Sequence, residues 1–278
     1  MPYKGLHEKI DFSKSDQYTL SIRFSSDGFS YMIYDPTIDY SLSFSEMNLH
    51  TTESYLANAT RLLHHPDLIE HTYKRINIIH VSKRFTLIPT EFYQKELSED
   101  YFYHNHPRVT NEQVLYNALP LSSIVVAHGI QTDLFQLIEQ TYPTATIYSH
   151  VCPLIEFLHN ASKHGNKKKM YINYRSKEMD VFCYNRGQLL LSNTFQTKSI
   201  EDQVYYLLYI WQQLSFNQER DEMRLVGFIP EKEQLLNKLR YYVKNVFVIN
   251  PKAEYMLLDD SITDTIPFDL QSLLQCEL

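Results

Sequence analysis

The sequence predicts an α/β protein with two lobes, in which each lobe is a mixed β-sheet with helices. Segments that alternate apolar and polar residues with a period of two are interspersed with segments of helical periodicity. The same order of elements occurs twice, and equivalent apolar positions such as Ile22 and Ile172 lie 150 residues apart. A polar stretch at 164–169, His-Gly-Asn followed by three lysines, separates the two copies, so we expect lobes of 1–163 and 164–278.

The first half begins with a predicted β-hairpin. Apolar residues alternate on both sides of the Ser-Ser-Asp-Gly turn at 25–28, which places Asp27-Gly28 at the tip. A third strand containing Tyr40 and Phe44 follows, and then a helix over 52–63 that Thr51 or Thr52 caps. Further strands are predicted at 76–81, 84–88, 124–127 and 144–148, and further helices at 132–140 and 153–161.

The second half repeats this order. Two alternating strands flank a turn at 176–178, and a third strand is predicted at 189–195. A long helix runs from Ser199, its predicted N-cap, to about Phe216, followed by a strand at 223–228, a helix at 231–243 and a strand at 246–249. We expect the acidic and apolar tail, 257–278, to pack back as a strand or a short helix.

Composition excludes several functional classes. The chain has only 6 glycines and contains neither a P-loop nor a G-x-G-x-x-G motif, which disfavours P-loop NTPases and standard Rossmann enzymes. A net charge of −7 disfavours broad nucleic-acid binding. Three scattered cysteines, a polar start and the lack of a long apolar run predict a cytoplasmic protein without membrane insertion.

Histidine and cysteine offer weak candidates for chemistry. His104 and His106 lie in an aromatic stretch at 101–106 and would share a face on a strand, yet surface histidines explain them better than a metal site. His128 follows a short apolar strand and is a candidate cleft residue. Cys152, close to His150 in the sequence, is a minor candidate nucleophile. We therefore predict no metal site and assign no catalytic residue.

Tyrosine is unusually frequent, with 22 residues. Tyr205, Tyr206, Tyr209 and Trp211 lie on one predicted helix, and Tyr241-Tyr242 lie on another. Packing onto a sheet is the favoured interpretation, and a surface that binds a partner is the alternative.

Two βββαβα halves joined near the middle resemble the plan of the actin-like superfamily, which includes sugar kinases, Hsp70-type chaperones and actin. The chain looks most like an uncharacterised bacterial family described as having an actin-like ATPase fold. The actin-like adapter proteins of type IV pilus and type II secretion systems are more distantly similar. The resemblance implies a duplicated, ribonuclease H-like fold.

The resemblance also implies where a nucleotide would bind. In the superfamily, the first strand of each half typically ends in Asp-x-Gly, where Asp handles Mg²⁺ or water and Gly lets the backbone approach phosphate. Here Arg23 and Asn173 stand in the two acidic positions, and Ser25 and Arg175 stand in the glycine positions. A Gly-Gly turn that holds adenosine is reduced to Gly227 followed by phenylalanine.

These departures predict a non-catalytic, actin-like interaction or scaffold protein that has lost Mg-ATP hydrolysis, with an unidentified protein partner and no required cofactor. The alternatives are an actin-like ATPase or kinase-like switch with altered phosphate loops, which would bind ATP and Mg²⁺, and a nucleic-acid-associated factor. A homo-oligomer is compatible with all three. The candidate vestigial phosphate loops comprise Arg23, Ser25, Ser26, Asp27, Gly28, Asn173, Arg175, Ser176 and Gly227.

Overall fold

The computed structural model describes residues 3–7, 10–35, 42–229, 231–250, 265–276 and 278. Within these ranges the chain forms two compact units. The first unit covers the described residues up to 119 together with 123–152, and the second covers 120–122, 153–250 and 265–278. The lobe limits of 1–163 and 164–278 stay a prediction. No helix within these ranges combines the length and the apolar character needed to cross a membrane.

The first unit contains a six-stranded mixed sheet with the order β1-β4-β3-β2-β5-β9 and a three-stranded antiparallel sheet with the order β6-β8-β7. The strands are β1 Tyr3–His7, β2 Thr19–Ser25, β3 Gly28–Tyr34, β4 Leu42–Met47, β5 Arg75–His80, β6 Phe85–Pro89, β7 Glu112–Leu119, β8 Ile124–Gln131 and β9 Thr146–Ser149. The α-helices are α1 Tyr55–Leu63, α2 Pro66–Ile69, α3 Ser98–Asn105 and α4 Thr132–Thr141, with 3-10 turns at Phe12–Gln17, Thr90–Phe92 and Lys95–Leu97.

Helix α5, Val151–Ser162, begins in the first unit and continues into the second. The second unit contains a five-stranded mixed sheet with the order β12-β11-β10-β13-β14. Its strands are β10 Lys168–Tyr174, β11 Glu178–Asn185, β12 Gln188–Gln196, β13 Glu222–Gly227 and β14 Asn245–Val248. Its further helices are α6 Ile200–Gln213, α7 Lys232–Tyr242 and α8 Phe268–Leu273.

The two sheets share a register as well as an order of elements. Ile22 lies opposite Tyr31 across the β2–β3 hairpin, and Ile172 lies opposite Val181 across the β10–β11 hairpin. Each hairpin therefore pairs residues whose numbers differ by 150 between the units. In both units the first strand of this hairpin also pairs in parallel with a later strand, β2 with β5 and β10 with β13. The repeated pattern that the sequence predicts is thus confirmed.

Each unit has its own apolar core, because one face of each sheet is covered by helices. In the first unit α1 and α4 contribute Leu62 and Leu134 to a cluster with Ile22 of β2. In the second unit α6 and α7 contribute Trp211 and Leu239 to the equivalent cluster.

Several predicted details are wrong. Ser54, rather than Thr51 or Thr52, caps α1, since its hydroxyl accepts a hydrogen bond from the Ala57 N–H at 3.1 Å. Strand β7 was not predicted, and β8 continues through His128 to Gln131 rather than ending before it. His104 lies on helix α3 and not on a strand.

Other details agree with the sequence. The Ser199 hydroxyl caps α6, as predicted. The short helix expected in the tail is α8, whose residues are buried, whereas residues 257–264 lie outside the described ranges. Tyr40 of the third predicted strand also lies outside them, and β4 begins at Leu42.

Candidate functional site

The β10–β11 hairpin carries a buried polar network centred on Asp180. Hairpin pairing places Asp180 directly opposite Asn173 on the neighbouring strand, and Asp180 is fully buried. Its carboxylate accepts hydrogen bonds from the guanidinium of Arg175 at 3.0 Å (Nε) and 2.8 Å (Nη2), and from Nδ2 of Asn173 at 3.1 Å. The Thr194 hydroxyl of β12 adds a fourth bond at 2.7 Å. The network therefore joins three adjacent strands.

Arg175 is neutralised by acidic side chains of its own unit. Besides the two-pronged contact with Asp180, its Nη1 lies 2.8 Å from Oε2 of Glu178, and the Arg175 side chain is only 9% exposed. Burial by itself lowers the pKa of Arg175, but the carboxylates of Asp180, Glu178 and Asp269 outweigh burial and raise that pKa above its usual value. The guanidinium is a permanent cation, and its charge is already compensated by the ion pairs with Glu178 and Asp180.

Gly227 ends β13 beside this network, where the backbone requires a glycine. Its φ is +88°, and a Cβ at this position would lie 2.3 Å from the carbonyl oxygen of Tyr174 and 3.0 Å from Oδ1 of Asn173. The following Phe228 donates its backbone N–H to the same Tyr174 carbonyl at 3.1 Å, and its ring is 72% exposed. The structure thus brings Asn173, Arg175 and Gly227 together at the carboxyl ends of β10 and β13. Ser176 lies exposed in the turn.

The β2–β3 hairpin is arranged differently. Ser25 pairs with Gly28, so Ser26 and Asp27 form the tip and Gly28 begins β3. The Ser25 hydroxyl donates to a carboxylate oxygen of Asp27 within the turn. A Cβ at Gly28 would lie 3.5 Å from the nearest atom, the Met47 carbonyl oxygen, which is an ordinary contact, so space does not require glycine there.

Arg23 lies within β2 with 7% of its surface exposed. Arg23 and Asp27 both act on Tyr55 of α1: burial raises the pKa of this tyrosine, the positive charge of Arg23 opposes that rise, and the negative charge of Asp27 adds to it. The five candidate residues of the first hairpin, which lie between Arg23 and Gly28, are therefore together. The candidate residues of the second unit also lie together, with Gly227 on the adjacent strand β13.

The sequence prediction missed Asp180, Glu178 and Thr194. A partial signal was present, because the sequence predicts this hairpin, but its turn covers 175–178 rather than 176–178, and only this register places residue 173 opposite residue 180. With that register, an acidic partner for Arg175 follows directly from the sequence.

Three interacting histidines in the first unit, of which His128 and His150 are buried and His80 is partly exposed, were also missed as a group. His80 ends β5, His128 lies within β8 and His150 follows β9, and the rings of His80 and His128 are 6.2 Å apart between centroids. Burial, with a smaller contribution from neighbouring imidazoles, lowers the pKa of His80 to about 4 and lowers the pKa of His128 well below its usual value. His128 is 1% exposed, so the prediction that it lines a cleft is wrong.

Within the described ranges no three His, Cys, Asp or Glu side chains lie in an arrangement that could hold a metal ion. The candidate nucleophile Cys152 is fully buried in α5, and its thiol donates to Oδ1 of Asn117 at 3.4 Å. A substrate therefore has no direct access to this thiol.

Helices α6 and α7 present exposed tyrosines on either side of a groove of about 550 Å³. Tyr205 is 64% exposed and Tyr241 is 82% exposed, whereas Trp211 on the same helix as Tyr205 is buried. The Lys238 ammonium and the Glu201 carboxylate, 2.5 Å apart, connect the two helices across the groove. Sheet packing thus explains Trp211 but not the exposed tyrosines.

Comparison with known proteins identifies the fold. The sequence model of a family described as "Protein of unknown function (DUF3822)" matches residues 7–246. A crystal structure from Bacteroides thetaiotaomicron, described as a protein with actin-like ATPase fold and unknown function, is 44% identical and has a TM-score of 0.86. The alignment covers 97% of this chain and 100% of that one. The fold of the chain is therefore actin-like, as the sequence predicts.

A more distant similarity is to the "PilM-PilN type IV pilus biogenesis complex", with a TM-score of 0.55 and 13% identity over 92% of this chain and 96% of that chain. At this identity the similarity concerns the fold alone. A comparison with curated proteins finds no match.

Proposed function

The chain belongs to the DUF3822 family, and we propose that it is a non-catalytic, actin-like interaction protein whose two phosphate loops no longer bind Mg-ATP. The observation that carries this proposal is the internal neutralisation of Arg175. The position where the superfamily resemblance implies a glycine that cradles phosphate holds a cation committed to Asp180 and Glu178.

The electrostatics of the second hairpin oppose a phosphate. Arg175 contributes one positive charge, whereas Asp180, Glu178 and Asp269 contribute three negative charges that all act on it. A triphosphate here would meet these carboxylates as well as the guanidinium, and like charges repel most strongly where water is partly excluded. Phosphate binding here would first require the Arg175–Asp180 pair to separate.

The same hairpin also opposes a metal ion. Mg²⁺ is held by carboxylate oxygens that are free to coordinate it and by the waters it retains. Both oxygens of Asp180 already accept hydrogen bonds, and Asn173 uses its amide to donate one of them. A divalent cation would therefore have to displace the guanidinium of Arg175.

The first hairpin supports the same conclusion. Arg23 stands where the resemblance implies an acid, and a cation cannot coordinate Mg²⁺. The carboxylate in the turn of this hairpin, Asp27, accepts a hydrogen bond from the Ser25 hydroxyl.

An interaction role is supported by the tyrosines that line the groove between α6 and α7. Tyrosine combines a large apolar surface with a polar end and is enriched in interfaces between proteins. The PilM–PilN complex, named for type IV pilus biogenesis, is an example of this fold within a protein assembly.

Thermal unfolding with and without Mg-ATP or Mg-ADP tests the proposal. We expect no shift of the melting temperature, whereas a ligand present at 100 times its Kd would stabilise the protein by about 2.7 kcal/mol and raise Tm by several degrees. The matched variant is Arg175→Met, measured in the same way. A clear rise of Tm in the natural protein that is lost in Arg175→Met would contradict the proposal and would locate the phosphate at this hairpin.

A further inference from the structure

Strand β12 forms an open edge of the second unit's sheet. It spans the nine residues Gln188–Gln196 and pairs with β11 on one side, while no strand in the described part of the chain pairs with its other side. The opposite edge of this sheet is β14, which has only four residues. β12 therefore offers the longer row of backbone donors and acceptors for pairing with another strand.

The first unit shows how the equivalent edge is filled. β4 occupies there the position that β12 occupies in the second unit, as the third strand of the meander. A further strand, β1, pairs with β4 in antiparallel register from Tyr3 opposite Met47 to His7 opposite Ser43. Among the described residues the second unit has no counterpart of β1, so none of them occupies the outer side of β12.

The composition of β12 lacks the residues that usually prevent an edge strand from pairing with another strand. Exposed edge strands are usually blocked by lysine, by other charges or by proline. The segment Gln188–Gln196 contains no charged residue and no proline. A bulge where Cys183 and Tyr184 face the start of β12 is its one irregularity, and the strand pairs regularly with β11 from Leu191 to Gln196.

One backbone donor of the strand is held by a side chain rather than by another strand. The Thr194 N–H donates to Oδ1 of the adjacent Asn193 at 2.8 Å. Asn193 is exposed, so this amide can move aside without disturbing the core. An arriving strand could then take over the bond to Thr194.

We propose that two copies of the chain associate through β12, pairing antiparallel about a two-fold axis at Asn193. In this register Leu191 lies opposite the partner's Phe195 on the face that carries the apolar core of the unit, to which both residues belong in one chain. Ser192 lies opposite the partner's Thr194 on the other face. The register is self-complementary around the axis, because Leu191 meets an apolar residue and Ser192 meets a hydroxyl residue, which favours a second copy of this chain as the occupant.

Sedimentation measurements over a range of protein concentrations test the proposal. We expect a reversible dimer whose fraction rises with protein concentration. Asn193→Lys puts two like charges opposite each other at the axis and weakens the dimer by about fivefold or more. The matched variant Asn193→Ala removes the same amide without adding charge and frees the Thr194 N–H, so its dimer is at least as tight as that of the natural protein.

A mixing experiment tests the register itself. Asn193→Lys and Asn193→Glu are each weakened alone, and their mixture forms a heterodimer because opposite charges then face each other at the axis. Because Asn193 is exposed, both variants keep the far-UV circular dichroism of the natural protein, and they keep its melting temperature at concentrations where the natural protein is monomeric. A natural protein that stays monomeric at all concentrations, or an Asn193→Lys variant that dimerises as tightly, overturns the proposal. A mixture that associates no better than its components overturns the register.

Discussion

Replacing Asp180 by asparagine removes one charge from the centre of the second unit's polar network while keeping the shape of the side chain. Asp180 is fully buried, and Arg175, its cationic partner, is 9% exposed. After the change the guanidinium keeps its ion pair with Glu178, whose side chain is 25% exposed, and the charge of Asp269 still acts on it. The amide group of the new asparagine also presents a donor to a site that supplies four donors.

The expected loss follows from this geometry. Removing one partner of a buried ion pair typically costs about 3–5 kcal/mol, because the other charge is left buried and unpaired. Glu178 still compensates part of the Arg175 charge, so we expect about 3 kcal/mol for Asp180→Asn. Arg175→Met should cost a similar amount, and the double variant should cost less than the sum, with a coupling energy of at least about 2 kcal/mol.

Urea unfolding followed by tryptophan fluorescence measures these losses of stability in the second unit of the chain. The chain has one tryptophan, Trp211, which is buried in the apolar core of the second unit. A slope of about 1–3 kcal/mol per molar urea converts the expected loss into a midpoint that falls by about 1–3 M. The control is Lys244→Met, which breaks an exposed ion pair with Glu219 and should leave the midpoint unchanged.

If Asp180→Asn lowers the midpoint no more than Lys244→Met does, the buried pair of Arg175 and Asp180 does not stabilise the second unit. A double variant whose loss equals the sum of the single losses would likewise show that Arg175 and Asp180 do not act as a pair.

Two further predictions concern glycine and histidine. Gly227→Ala should lower the free energy of unfolding by about 2 kcal/mol or more, since a Cβ there meets a backbone carbonyl at 2.3 Å. Gly165→Ala, at φ +85° with nothing within 4 Å of the new Cβ, should lower it by about 1 kcal/mol. Urea midpoints measure both losses. The lowered pKa values of His80 and His128 mean that the unfolded chain binds protons below about pH 6.5 while the folded chain does not, so stability is full above that pH and falls towards pH 4. His128→Leu should flatten this fall and the exposed His104→Leu should not, and a fall that is equally steep in all three proteins would show that the buried imidazoles are not its cause.

The order of elements could be predicted because local rules and tertiary structure agree. The alternation on both sides of residues 25–28 predicts a hairpin, and the structure has that hairpin, although both faces of its two strands are buried. Strand β7 could not be predicted, since Val114, Leu115 and Tyr116 are consecutive apolar residues without alternation. Its position depends on pairing with β8, which a local pattern does not contain.

The cap of α1 shows a second limit. The sequence from 50 to 54 offers several residues that can cap a helix. The choice is made by Asn58, a buried side chain whose amide accepts from the His50 N–H at 2.8 Å and donates to the Ser54 carbonyl at 2.9 Å. These bonds hold the preceding loop in the one conformation in which Ser54 is the cap.

For the candidate site, the sequence predicted which positions lie together but not their chemistry. An arginine beside a turn is equally suited to bind a phosphate or to pair with a carboxylate, and only the cross-strand neighbour decides. The hairpin register supplies Asp180 as that neighbour.

The register also explains why these positions must change together. Asn173 and Asp180 are directly opposite on adjacent strands, so an aspartate at 173 would place two buried carboxylates side by side. A glycine at 175 would remove the guanidinium that compensates Asp180, and would leave that buried carboxylate without its cationic partner, although Asn173 and Thr194 still donate to it. Restoring the acid and the glycine that the superfamily resemblance implies is therefore unfavourable unless Asp180 is also replaced, and the three residues form one coupled set.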